Sequence, residues 1–450
     1  MITKKIACRL LFALMVFTSL SCKKILDVKA DKSLSTIATL ADAQAILDQT
    51  SATEVEPGTE ESVTDNYYIS TASYNALTFA TNRSIYTWEN ANLFGGSTND
   101  WYTAYRKVYY CNSVLDALPE IAGEGSNEWK NIKGQALFKR AKSFWHITNI
   151  WSLAFDESTA DTDMGIPLRL NSNFNEVSVR ASVKDCFKQI TGDLKQAIVL
   201  LPVVPVHPVR PSKPACYALL SRVYMAMRNY ADAKLYADSA IALFPALLDY
   251  NTVSNAPTYP FSNANAECIY VATGGSALLT PTNAKIDTML LNSYAANDLR
   301  KTLYFKSLGG NEYSFRGSYS NSNNHFDGLS SGEMYLNRAE CLARSGSFTA
   351  AMVDINTLLI KRFKTGTFVA VTATSAADAL AKILIERRKE LLMRFCRWMD
   401  IKRLNKEGAN IILRRKVNGQ DYELLPNSLR YALALPEDVL AISGMPQNPR

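Results

Sequence analysis

The side chains best suited to chemistry are the aromatics and amides concentrated in two polar, irregular stretches. Tyr67, Tyr68, Tyr74, Trp88 and Asn92 fall within residues 51–97, and Tyr294, Tyr304, Tyr313, Arg316, Tyr319 and Phe326 within 246–331. Flat rings beside amides and a guanidinium suit stacking on, and hydrogen bonding to, a sugar or a peptide. Trp88, Tyr67, Tyr68, Asn92, Tyr294, Tyr313 and Arg316 are therefore expected to supply a ligand platform, with residues 60–95 and 290–326 on a common face. Trp88 ranks first, because it offers the largest flat face beside the polar Glu89-Asn90 and Asn92. Trp101 and Tyr105, spaced i,i+4 on a helix, read as core.

Catalysis finds less support. Gly328-Leu329-Ser330-Ser331-Gly332 fits the pattern of a nucleophile elbow with His325 nearby. Such an elbow needs an apolar strand before it, whereas Asn321 to Asp327 is polar, so Ser330 or Ser331 reads as a helix cap before Glu333. Asp156, Glu157, Asp161 and Asp163 could offer oxygens to Ca²⁺, but their spacing follows no known loop and a solvated acidic loop accounts for them. No cofactor is expected beyond that one candidate ion. The helix from Glu386 to Arg403 is charged in the manner of a solvated or ion-paired face. Nothing singles out a carboxylate pair for glycosidic cleavage or a phosphate-cradling loop. The expectation is a binding protein, not an enzyme.

These loops need a frame. The chain has 450 residues, 47% hydrophobic and 20% charged, which describes a globular protein able to fold without staples. The net charge of +7 falls once Lys4, Lys5 and Arg9 are removed, and is too mild and too evenly spread for a nucleic-acid partner. Those three cations precede the apolar run Leu10 to Phe17, and Ser19-Leu20-Ser21-Cys22 is similar to a bacterial lipobox. Residues 1–21 therefore read as a signal peptide, Cys22 as the acylated (palmitate-bearing) first residue, and 22–450 as a single domain. No later run could span a bilayer. Cys111, Cys186, Cys216, Cys268, Cys341 and Cys396 are scattered, as buried thiols would be.

Helical periodicity predicts helices over 39–48, 100–118 (ended by Pro119), 128–151, 183–201 (capped by Ser182), two within 212–244, and more over 332–363 and 376–405. The tail is expected to hold short strand-like pieces such as Tyr431 to Leu435. Two helix pairs repeat. Tyr217, Leu220, Ser221, Tyr224, Ala233, Ala240 and Pro245 stand at tetratricopeptide spacings, and Tyr335, Ala339, Leu342 and Ala351 recur at the same offsets. The turn Arg228-Asn229 of the first is replaced by Gly346-Ser347 in the second. Being far apart in sequence, the pairs do not form a simple solenoid.

Taken in order, several segments resemble the SusD/RagB-like nutrient-uptake lipoproteins of Bacteroidetes-type bacteria. They are Lys23 to Val28 after the acylated cysteine; Asp100-Trp101-Tyr102, Tyr105 and Asn112; Ala136 to Ala141; and Gly165-Ile166-Pro167-Leu168. Then come Asp193-Leu194, Ala197 and Leu201-Pro202; Glu333 to Leu336 with Arg338-Ala339-Glu340 and Ala343-Arg344; Glu386 to Leu391; Arg397 to Arg403; Leu435-Pro436; and Gln447-Asn448-Pro449. One turn departs, since Arg394-Phe395-Cys396 stands where the family usually has Glu-Gly-His. The resemblance implies a mostly α SusD-like fold, with tetratricopeptide-type helix pairs as scaffold and long irregular loops (51–97 and 246–331) on the opposite face. It also implies an outer-membrane lipoprotein, lipid-anchored and exposed at the cell surface. Such a protein captures an oligosaccharide or peptide and hands it to a partner TonB-dependent SusC-like transporter. A secreted glycan-processing enzyme and a repeat scaffold without small ligand are the alternatives.

Overall fold

The computed structural model describes residues 37–49, 55–96 and 99–450, of which Thr39–Arg450 form one compact unit. Residues 1–21, expected to be a signal peptide, and Cys22 lie outside the described residues. Ten helices of eight or more residues frame the described chain. They are α1 (Leu40–Leu47), α2 (Asp100–Ala117), α3 (Asn127–Trp151), α4 (Val183–Leu200), α5 (Lys213–Ala226), α6 (Tyr230–Leu243), α7 (Ser331–Arg344), α8 (Phe348–Leu359), α9 (Ala376–Glu390) and α10 (Arg397–Lys406). Their starts follow from local chemistry. Thr39, Asn99, Ser126, Ser182, Ser212, Asn229, Ser330 and Ser375 each accept a first-turn backbone N–H, satisfying a donor that the helix itself cannot.

Each helix from α2 to α8 packs on the next, and α9 lies against α7 and α8. The two repeated hairpins, α5–α6 and α7–α8, are therefore neighbours in space: α6 packs directly on α7, and the chain between them is looped out. Ala233, Ala237, Ala240, Ala339 and Ala351 are fully buried at these contacts, where a larger side chain would hold the helices apart. A hydrogen-bond relay stitches the pairs together. Ser221 Oγ donates to Ala233 O (2.9 Å), Asn337 Nδ2 to Ser221 Oγ (3.0 Å) and Arg387 Nη1 to Asn337 Oδ1 (2.6 Å). The hairpin turns correspond as well, with Arg228 (φ +59°) taking the left-handed position that Gly346 (φ +86°) takes in the second pair.

Two expectations need correction. The tail segment Tyr431 to Leu435 is not a strand; it follows a 3₁₀ turn at Leu429–Tyr431 and is held by the Leu433 N–H donating to Ile150 O. The tail's strands are Leu413–Val417 and Gln420–Leu424, joined by Asn418-Gly419 with both residues left-handed (φ +51° and +76°), the geometry that suits a two-residue hairpin. Neither irregular stretch is a free loop, because extended polar chain satisfies its backbone by pairing. Val55–Pro57 pairs with Thr273–Gly275, and Tyr67–Tyr68 with Lys285–Ile286, so the two stretches are brought together strand by strand. All six cysteines named above are buried and free.

Candidate functional site

The aromatic platform expected from the sequence is largely a closed interior. Trp88, Tyr67 and Tyr294 are buried. The guanidinium of Arg415, from the tail hairpin, lies 4.6 Å from the Tyr67 ring centre, 4.1 Å from that of Tyr86 and 5.2 Å from that of Trp88. It donates to Tyr67 O (2.6 Å), Trp88 Nε1 donates to Val63 O (3.0 Å) and Tyr67 OH to Ser62 O (2.6 Å). Tyr294 donates to Lys389 O (2.8 Å) beneath the Arg300 guanidinium. These faces are occupied by the protein's own cations and cannot take a ligand in this conformation. Arg316 is half-buried and ties loops together through Asn255 O, Pro257 O and Thr302 O. Tyr68 and Tyr313 are half-buried, and Asn92 is exposed with its N–H on Glu437.

An open cavity of about 350 Å³ lies within the second stretch, lined by Gly274 to Ala277, Leu279, Thr280, Asn323, Asn324 and His325. Its floor is the strand Thr273–Gly275, which pairs in parallel with Val55–Pro57 and antiparallel with His325–Phe326. Close approach requires glycine here: a Cβ on Gly58 would sit 2.1 Å from Gly275 O. Ser276 caps the 3₁₀ turn Ala277–Leu279, against which the helix Ala80–Tyr86 packs. On the other wall Ser320 Oγ donates to Asn324 O (2.6 Å), and Asn324 N donates to Ser322 Oγ (3.2 Å). His325 stacks on Phe315 at 13° with 5.8 Å between ring centres.

Buried ions anchor both flanking strands to the scaffold. Glu56 pairs with Lys107 of α2 (2.6 Å) and Lys142 of α3 (2.9 Å), while Asp327 pairs with Lys142 (2.5 Å) and with His146 of α3 (2.9 Å). His146 Nδ1 also meets Glu60 at 2.6 Å. Burial alone would lower His146, but Asp327 and the nearby glutamates lift it to about 9, so the ring is cationic at neutral pH. Burial would likewise raise Asp327, yet His146 and Lys142 hold it well below the usual carboxylate range. Glu56, His146 and Asp327 bring ligand atoms within 4.8 Å of one another, as a metal site would. Lys142 Nζ lies close to all three and pairs with both carboxylates, so an ammonium already serves as the cation of Glu56 and Asp327.

Comparison with known proteins matches residues 24–225 to the family described as "Starch-binding associating with outer membrane" and residues 299–430 to the SusD family. The chain belongs to the SusD family. Among solved structures it is similar to a SusD superfamily protein from Bacteroides thetaiotaomicron, at 20% identity and TM-score 0.73, covering 92% of this chain and 100% of that one. A SusD superfamily protein from Bacteroides fragilis shares 18% identity at TM-score 0.73, covering 91% and 99%. A SusD-like carbohydrate binding protein from Bacteroides vulgatus shares 19% at TM-score 0.69, covering 90% and 96%. At these identities the structures establish the fold. No curated protein matches the chain.

Several of the segments that carried the SusD resemblance contribute to buried ion networks. Arg387 pairs with Asp400 (2.7 Å), Arg403 with Glu340 (2.6 Å), and Arg362 with both Glu390 (2.8 Å) and Glu267 (2.9 Å). The charged face from Glu386 to Arg403 is thus ion-paired and mostly interior. The departing turn also has a structural meaning. Phe395 (φ +56°) holds a left-handed position that favours glycine, and its ring presses on Gly274, 2.8 Å from where a Cβ would be. This SusD chain therefore backs its cavity floor with an aromatic ring.

The remaining candidates serve as structure. Ser330 Oγ accepts from Glu333 N as the α7 cap, although the preceding residues from His325 are buried despite their polarity. Asp156 pairs with Lys406 (3.2 Å), Asp161 with Lys184 (2.9 Å), and Asp163 accepts from Thr159 Oγ1 (2.5 Å). A second cleft of about 270 Å³ runs along α2 past Trp101, Tyr105, Tyr109 and Phe174. Two of its polar groups hold the adjoining loop: Tyr105 OH donates to Pro167 O (2.8 Å), and Asn112 Nδ2 to Arg169 O (2.8 Å) and Asn171 O (3.0 Å). The cavity is lined by one of the two stretches the sequence singled out, 246–331, but by none of the expected platform residues. The Gly274-Gly275 pair beside Ser276 was the available signal for a close backbone approach.

Proposed function

We propose that this chain captures an oligosaccharide in the loop cavity and delivers it to a TonB-dependent outer-membrane transporter, without breaking a bond. The observation that supports this most is the cavity itself, a concave site walled by backbone, amides and hydroxyls on strands held rigid by buried ions. Such groups hydrogen-bond a polyhydroxyl chain and carry no nucleophile and base in register. Membership of a family described as starch-binding and associated with the outer membrane points the same way. Among the described residues no helix is long and apolar enough to cross a membrane, which accords with attachment through an acyl group on Cys22. The transporter is the partner in this scheme, and the lipoprotein acts as its ligand-gathering cover. Calorimetric titration of the purified protein with oligosaccharide and peptide pools, followed by chromatography of the recovered ligand, tests the reading. Saturable binding of an oligosaccharide recovered intact is expected; its turnover, or binding of peptides alone, would contradict it.

A further inference from the structure

The cavity's lining has a chemical bias that goes beyond glycan capture in general. Among the described residues that line it there is no Lys, Arg, Asp or Glu. The nearest acid in sequence, Asp327, faces away into its pairs with Lys142 and His146. His325 is only 4% exposed, packs flat on Phe315, and its Nδ1 is buried without a hydrogen-bond partner. An unpaired buried ring nitrogen is a net cost to the fold and calls for a reason. Resting on the glycan reading above, we propose that the cavity selects an uncharged, hydroxyl-rich chain, and that His325 is the buried side chain that hydrogen-bonds one of its hydroxyls.

Two physical facts set this selectivity. A uronate or sulfate entering the cavity would lose hydration with no lining cation to replace it. His325 does not supply that cation, because burial without a counter-charge holds its imidazole down to about 4, neutral at physiological pH. A neutral ring can meet a hydroxyl through either tautomer, as donor or as acceptor. Asn323 and Asn324, exposed at the rim, extend the same uncharged hydrogen bonding outward.

The test is calorimetric titration of the purified mature protein with maltohexaose, xylohexaose and mannohexaose against hexagalacturonate. At least one neutral hexasaccharide should bind, with hexagalacturonate at least tenfold weaker. His325→Phe keeps the flat contact with Phe315 but removes both nitrogens, and should weaken the neutral ligand at least tenfold. Asn324→Lys changes an exposed residue and leaves the fold intact, so it decides the matter even should His325→Phe fail to fold; it should strengthen hexagalacturonate binding. Hexagalacturonate binding as tightly as the best neutral chain, an unaltered His325→Phe, or an Asn324→Lys without effect on the uronate would overturn the inference while leaving glycan capture standing. Silence from all four hexasaccharides would overturn the glycan reading, and this inference with it.

Discussion

The Arg415 cluster, built from the 51–97 stretch and the tail hairpin, is closed, whereas the Gly274–His325 cavity, lined by the 246–331 stretch, is open. In the first, three large rings surround a guanidinium that donates to backbone carbonyls, and every flat face is covered. In the second, two glycines, small hydroxyl residues and amides leave a hollow of about 350 Å³. Aromatic rings are strong binders only when a face stays free, and burying them against Arg is the more stable use when no ligand is present. Small residues build the hollow because they cannot fill it. In this fold the aromatic-rich sequence marks where the loops are bolted down, and the plain sequence marks where a ligand can enter.

The sharpest way to break that contrast is to unbolt the closed region. Arg415→Met removes a buried cation and strands its carbonyl acceptors, and should cost about 3–5 kcal/mol in urea unfolding. Asn323→Ala at the exposed cavity rim should cost less than about 0.5 kcal/mol. Equal losses would mean that the two regions do not divide structure from binding as described.

A smaller effect should come from the ions that hold the cavity's flanking strands. His146 is raised from 6.5 to about 9 in the folded chain, so its contribution is complete below about pH 6.5 and is lost as pH rises through 9. The stability gap between parent and His146→Gln should therefore be widest near pH 6, at about 3 kcal/mol, and should narrow toward pH 9. A gap that widens with rising pH would show that His146 is not the cation bridging Glu60 and Asp327.

The frame was legible because helices declare themselves locally. Ser182 before Val183 and Asn99 before Asp100 are caps whose side chains do their work within three residues. The Ala and Ser positions of the two hairpins were legible too, although not that the hairpins would meet: the α6–α7 contact joins segments separated by the whole second stretch. Long-range pairing left little trace. Lys142 and His146 look like ordinary polar positions of a helix until Asp327, 185 residues onward from Lys142, arrives beside them. The Asn418-Gly419 turn was readable as a hairpin signal, but what it delivers, Arg415 between Tyr67, Tyr86 and Trp88, depends on contacts some 350 residues apart in the chain. Trp88 was misplaced for the same reason, since a sequence shows a ring's size but not what covers it.

The central claim is that ligand lodges in the hollow made by small residues and not on the rings. A crystal structure of the mature protein soaked with whichever hexasaccharide binds most tightly tests it directly. Sugar density against Gly274–Thr280 and Asn323–His325, with Arg415 still seated on Tyr67, Tyr86 and Trp88, is the expected result. Sugar stacked on Trp88 or Tyr294 after displacement of Arg415 or Arg300, or lodged in the α2 cleft beside Trp101 with the loop cavity empty, would contradict it.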